Sequence, residues 1–322
     1  MPPRFLRVLA GILSLLWLSG CASTPQSNAL LAHFHDTGSR QQTLGPNVLL
    51  EDVPFFPQEA YQCGPAALAT VLQDSRVLVT PDALVSQVYV PARQGSLQIE
   101  MLAAARRYER IAHVLPTDLA TLLQQIQAGK PVLVMQNLGL SWYPQWHYAV
   151  AVGFDLVREE IILRSGLIRD YRISLALFER TWQRAEHWAV VLLEPGELPI
   201  DDNEQAYVES LDAFSRNAQA SQLLAAYTVG LHRWPRSRLL NMALANLEYA
   251  QGNPVAAKLL YEQIVQWSPD YAAAHNNLAQ TLFELGDVSG AREHALIAVS
   301  QGGSFMAVYQ KTLDAIEASS AP

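Results

Sequence analysis

The chain has 322 residues, is 50% hydrophobic and 16% charged, and carries a formal net charge of −8. Its length predicts two domains, and its composition suits a folded globular protein rather than a disordered chain. The acidic balance, with no cluster of Lys and Arg, gives no reason to expect a nucleic-acid partner. Without a Walker phosphate loop or a Gly-x-Gly-x-x-Gly fingerprint, no nucleotide is expected either.

The first twenty residues, MPPRFLRVLAGILSLLWLSG, place Arg4 and Arg7 ahead of an apolar run from Val8 to Leu18. That run is too short to span a bilayer comfortably and has the pattern of a secretory signal, so residues 1–20 are expected to be a signal peptide. Leu18-Ser19-Gly20-Cys21 resembles a bacterial lipobox. The resemblance implies cleavage before Cys21, lipid on its thiol, and thereby a membrane anchor. Ala22, and not Asp, follows Cys21. In a Gram-negative cell this points to the cell envelope, at the outer membrane facing the periplasm. With Cys21 lipidated, Cys63 has no partner for an intrachain disulfide, since the chain has only 2 cysteines. Residues 21–47, rich in small polar residues and turn formers, read as a lipidated tether.

From 48 to 195 helical signals come first and strand signals later. Gly64 to Gln73 reads as a helix, and Thr80-Pro81-Asp82 caps a second one with proline at its first turn. Gln98 to Arg107 is helical, and Thr117-Asp118 opens a further helix that stops near Gly129. PVLVMQNL, HYAVAVGF, EEIILRS, RDYRIS and HWAVVLL then read as strands. Helices followed by a run of strands predict an α+β domain with a largely antiparallel sheet.

A Pro/Gly/acidic linker, 196–203, precedes a change of character. Pro235 and Pro269, Tyr227 and Tyr261, Gly252 and Gly286, Leu244 and Leu278, and Ala257 and Ala291 are each separated by 34 residues (269 − 235 = 34, and likewise for the rest). That period, with small residues between paired helical stretches, is the tetratricopeptide signature. Residues 204–318 are expected to hold about three repeats, the first degenerate, and a capping helix. Such an array presents a concave surface for a protein partner.

The chemistry is expected at Cys63. A helix starting beside it aims unpaired N–H groups and the positive dipole end at the sulfur, which favours thiolate and lowers the pKa. Gly64 allows close backbone approach, and Pro65 lacks the N–H that a first turn leaves unpaired. Gln58 is an amide donor able to hold an oxyanion.

PQEAYQCGPAALATVL, from Pro57 to Leu72, resembles the nucleophile motif of bacterial papain-like cysteine peptidases. The likeness is strongest to the double-glycine leader peptidases and their stand-alone relatives. It extends over 48–195 and implies a Cys nucleophile, a distant His base and an Asp or Asn that orients the His. His147, in QWHYAVAVGFD, fits the family's His motif better than His113 or His187. The third member departs from the pattern. Ser165 falls nearest the expected place, Asp170 lies five residues further on, and Asp155 is the next candidate. Trp142, Tyr143, Pro144 and Trp146 are candidates for either a substrate cleft or core packing.

The expected fold is thus an α+β papain-like cysteine peptidase domain followed by an all-α tetratricopeptide-repeat solenoid. The expected activity is hydrolysis of peptide bonds in a secreted or periplasmic peptide or protein, with no metal and no cofactor. The competing expectations are a peptide-binding domain that does not cut, and acyl transfer on the same thiol. If Cys21 carries lipid, Cys21→Ser should leave an unprocessed precursor that a high-salt wash strips from outer membrane. Normal maturation of that variant, measured by intact mass, would refute lipidation.

Overall fold

A computed structural model describes residues 24–36, 44–57 and 62–319. The described chain forms two compact units that divide within 193–203. No helix among the described residues is long and apolar enough to cross a membrane.

The first unit opens with helix α1 (Pro25–His35) inside the stretch expected to be a tether. It then runs through β1 (Asn47–Leu49), α2 (Cys63–Asp74), α3 (Pro81–Val88), the short hairpin β2 (Tyr89–Val90) and β3 (Gly95–Ser96), α4 (Gln98–Arg107), β4 (Ile111–Val114) and α5 (Leu119–Gln127). The strands β5 (Val132–Asn137), β6 (Trp146–Asp155), β7 (Glu160–Ser165) and β8 (Ile168–Ser174) follow, then α6 (Leu175–Gln183) and β9 (Ala189–Leu193). The helix starts follow the predicted capping chemistry: the Thr80 hydroxyl accepts from Ala83 N–H and the Asp118 carboxylate from Thr121 N–H. The hairpin β2–β3, β4 and α6 were not anticipated. Ser174, which ends the strand RDYRIS, also caps α6 by accepting from Leu177 N–H.

The main sheet has the order β4-β9-β5-β6-β7-β8. Its ladders β5–β6, β5–β9, β6–β7 and β7–β8 are antiparallel. The ten-residue β6 is its spine. One edge of β6 pairs with β5 over Trp146–Ala151 and then with β1 over Gly153–Asp155. Tyr148, Val150 and Val152 of β6 share one buried cluster with Leu68 and Leu72 of α2, Leu84 and Val88 of α3, and Met101 of α4. The two-residue strand period turns Ala149 and Ala151 to the opposite face, and α5 packs on β6. Burial on both faces explains why HYAVAVGF is an unbroken apolar run rather than an alternating one.

Arg164 of β7 is 2% exposed and donates to the carbonyls of Leu50, Glu51 and Val53, as well as to Arg169 O and Asp170. The segment that leads toward Cys63 is thereby pinned to β7 and β8. Helix α1 is held in a similar way. The buried Glu179 carboxylate of α6 accepts from Gln26 N–H at 3.0 Å and Ser27 N–H at 2.7 Å, as well as from the Ser27 hydroxyl. The Gln26 side chain in turn donates to Thr117 O and accepts from Leu119 N–H.

The second unit is all helical: α7 (Glu204–Ser215), α8 (Ala220–Arg233), α9 (Arg238–Ala250), α10 (Pro254–Trp267), α11 (Ala272–Glu284), α12 (Val288–Gln301) and α13 (Met306–Ser319). These described helices form three pairs and a closing helix. Gly252 and Gly286 sit at equivalent turns with φ of 80° and 87°, a left-handed conformation in which any side chain is strained. Ala257, Tyr261, Leu278 and Ala291 lie in one buried cluster, so the repeating positions are those that neighbouring helices bury.

Removing the Glu179 carboxylate leaves two backbone donors and a hydroxyl without their acceptor. Glu179→Ala is expected to lower unfolding free energy by about 2 kcal/mol and to hasten proteolytic cutting within 25–36. Denaturant unfolding and limited proteolysis check both.

Candidate active site

Cys63 is the first residue of α2, and its preceding residue, Gln62, gives no side-chain cap. The first-turn N–H groups of α2 therefore lack a capping side chain, and the thiol stands at that end. The backbone N–H groups of Tyr148, Gly64 and Cys63 itself lie close enough to the sulfur to favour its thiolate. Even so, burial dominates and pushes the thiol up from its ordinary value, with those three N–H groups pulling less strongly the other way. The expected lowering of the pKa by the helix end is outweighed, because desolvation penalises a thiolate more than three N–H dipoles stabilise it.

His147 is the second residue of β6 and sits opposite Gln136 of β5. Its Nε2 lies 2.8 Å from Ser165 Oγ, at the end of β7. Burial lowers the imidazole pKa, so the ring is neutral around neutrality. With Nε2 engaged by the hydroxyl, Nδ1 is the ring nitrogen left to exchange a proton.

The alternatives for the third residue separate cleanly in space. Asp170 of β8 pairs with Arg164. Asp155 ends β6 eight residues beyond His147, roughly 27 Å along an extended strand. There it accepts from Arg158 N–H at 3.0 Å. Only Ser165, of the three, contacts His147. Gln58 and Cys21 both lie outside the described residues. Of the other histidines weighed, His113 is buried 3.1 Å from Asp201, and His187 packs edge-on to Trp182 at 4.7 Å.

Cys63 and His147 line one cleft of about 900 Å³. Residues 93–98 and 143–148 supply most of its lining, with Gly166 and Met135. Tyr143 and Trp146 are 65% and 54% exposed and belong to the cleft, not to the core. Trp142, 80% exposed, stands beside Tyr143. The 93–98 segment gave no sequence signal, because it is placed by distant residues. The Tyr148 hydroxyl donates to Ser96 O at 3.2 Å, and Ser96 packs directly over Gly64. A Cβ at position 64 would overlap the Ser96 side chain, so glycine is required here for packing.

Residues 50–190 match the Peptidase_C39 like family and residues 248–298 match the tetratricopeptide repeat. No curated protein matches the chain. Among solved structures, one described as a C39-like peptidase from Bacillus anthracis is 18% identical, with a TM-score of 0.40, covering 47% of this chain and 98% of that one. A double glycine motif protease from an AMS/PCAT transporter, in complex with its leader peptide, is 23% identical at a TM-score of 0.34, covering 44% and 91%. The first TPR of Spaghetti (RPAP3), bound to an HSP90 peptide, is 15% identical at a TM-score of 0.34, covering 37% and 94%. The chain thus joins a domain of the Peptidase_C39 like family to a run of tetratricopeptide repeats.

Proposed function

We propose that this protein is a thiol-dependent peptidase, anchored by lipid on Cys21 to the periplasmic side of the outer membrane. The observation that carries the chemistry is the shared cleft. A thiol at a helix start and an imidazole held at Nε2 by Ser165 face the same space, within the span that matches the peptidase-like family. Because both groups are neutral at rest, the proton leaves Cys63 as the sulfur attacks the peptide carbonyl, and His147 Nδ1 receives it. Backbone N–H groups at the start of α2, together with Gln58, hold the oxyanion. The imidazolium returns the proton to the leaving amine, and water then releases the acyl group. Ser165 is the positioning residue and Asp170 is not, since Arg164 engages its carboxylate. The repeats hold a protein partner or the remote part of the substrate.

The second reading is a domain that captures peptides without cutting them. It is favoured by one observation: the group on His147 Nε2 is a hydroxyl, which cannot offset an imidazolium charge as a carboxylate does.

Cys63→Ala should abolish cleavage by the purified full-length protein while leaving its melting temperature nearly unchanged. Undiminished proteolysis by that variant would sink the peptidase reading. An electrophilic probe should label Cys63 in the wild type and fail to do so in His147→Ala; equal labelling of both would favour the binding reading.

The pH dependence follows from the two shifts. His147 has a lowered pKa, so its neutral, proton-accepting form persists below pH 6.5 and the acid limb of kcat/KM should lie there. Cys63 has a raised pKa, so alkylation by iodoacetamide should keep rising above pH 9.0. Ser165→Ala should lower kcat/KM by about tenfold, the value of one hydrogen bond. Ser165→Asp should move the acid limb to higher pH by stabilising imidazolium. A limb that stays in place in Ser165→Asp would show that Ser165 does not govern the imidazole.

A further inference from the structure

Among the described residues, the cleft's lining carries one permanent charge. Apart from Cys63 and His147, its lining is made of amides (Gln94, Gln98, Gln145), the Ser96 hydroxyl, apolar and aromatic side chains, and Arg93. No carboxylate among the described residues lines it. Arg93 is exposed, and its guanidinium makes no hydrogen bond or ion pair among the described residues. Five other arginines of the same unit are occupied. Arg107 donates to Gln87, Arg110 to Ser75, Arg169 to Glu51 O, Arg172 to Glu160 and Arg184 to Asn137 O. In a chain of net charge −8, an uncommitted cation at the mouth of the reactive cleft stands against the overall sign.

Its backbone is also fixed. Arg93 closes a single 3-10 turn, Pro91–Arg93, inside the β2–β3 hairpin, and Gln94 follows with φ of 47° and its N–H on Pro91 O. The hairpin pairs Tyr89 with Ser96 and Val90 with Gly95. Ser96 is held by the Tyr148 hydroxyl and rests on Gly64, the residue after the thiol. The charge is therefore carried on a segment built against the start of α2, three residues from a direct packing contact with it.

We propose that Arg93 selects acidic peptides: it binds a carboxylate of the substrate within a few residues of the bond presented to Cys63. This rests on the reading of the cleft as a peptide site, and it names which peptides the site takes. A guanidinium presents paired N–H donors that match a carboxylate's two oxygens, so it recognises a carboxylate better than a neutral amide of the same shape. At a partly solvated cleft such a pair gives a moderate preference that salt weakens. The rest of the described lining is neutral and neither adds to nor opposes it.

The test uses full-length Cys63→Ala protein and a fluorescent Gly/Ala dodecapeptide. One Glu is stepped along the sequence, with Gln at the same position as control, and both peptides are made as C-terminal amides. Anisotropy should show that, at some position, the Glu peptide binds about five- to tenfold more tightly than the Gln peptide at low salt. The gap should narrow at 0.5 M salt, vanish in Arg93→Ala and invert in Arg93→Glu. A matched pair of Gln peptides ending in a free acid or an amide separates a chain-terminal carboxylate from a side-chain one. Equal binding of Glu and Gln peptides at every position together with equal binding of the free-acid and amide peptides, no binding of any, or a preference that survives in Arg93→Glu overturns the proposal. Cleavage by the wild type keeps the two ideas apart. Equal cutting of Glu and Gln peptides rejects selection by Arg93 and leaves the peptidase standing. Arg93-dependent binding without any cutting supports selection and rejects the peptidase.

Discussion

Tyr148 joins three pieces of chain that are far apart in sequence, and the cleft depends on it. Its backbone N–H favours the thiolate of Cys63, its hydroxyl donates to Ser96 O, and its ring meets Trp188 edge-on at 5.7 Å. The residue just before it is His147. One buried residue on the central strand thus sets the helix start, the hairpin that carries Arg93, and the imidazole in a common frame. Burial raises the phenol pKa, so the hydroxyl remains a donor throughout the ordinary pH range.

The same burial sets the resting state of the site. A helix start favours thiolate, but at Cys63 desolvation outweighs the backbone donors, and the imidazole is shifted toward its neutral form for the same reason. Two neutral groups at rest differ from a preformed ion pair in one respect. Charge separation is deferred to the moment of attack, when oxyanion donors can share the negative charge. A hydroxyl at Nε2 suits that resting state, because it orients a neutral ring without demanding a proton on it.

Asp170, five residues beyond Ser165, is committed elsewhere. Arg164 is almost wholly buried and would be left with an uncompensated charge if Asp170 turned away. The carbonyls of Leu50, Glu51 and Val53 supply its other acceptors, so the ion pair belongs to the framework that fastens the chain ahead of Cys63. The helical unit follows a different logic. Neighbouring helices bury their apolar stripes on one another, and a positive-φ glycine ends the first helix of two of the three pairs, at Gly252 and Gly286.

Some of this was legible in the residues alone. The 34-residue interval identified the repeats, since every unit must bury the same face at the same period. The unbroken apolar runs identified the central strands, and Cys63-Gly64-Pro65 identified a helix start beside a thiol. The resemblance carried by those residues supplied the family that residues 50–190 match. Tertiary structure decided what depends on residues far apart in the chain. In the sequence, Ser165, Asp170 and Asp155 could be ordered only by their distance from the expected place. They were separated by a strand register that brings Ser165 to the imidazole, by a buried arginine that takes Asp170, and by the length of β6 that removes Asp155. The pKa of Cys63 went the same way. A helix dipole can be read from local sequence, whereas the burial that overrides it is the sum of contacts from strands and helices that only the folded chain assembles.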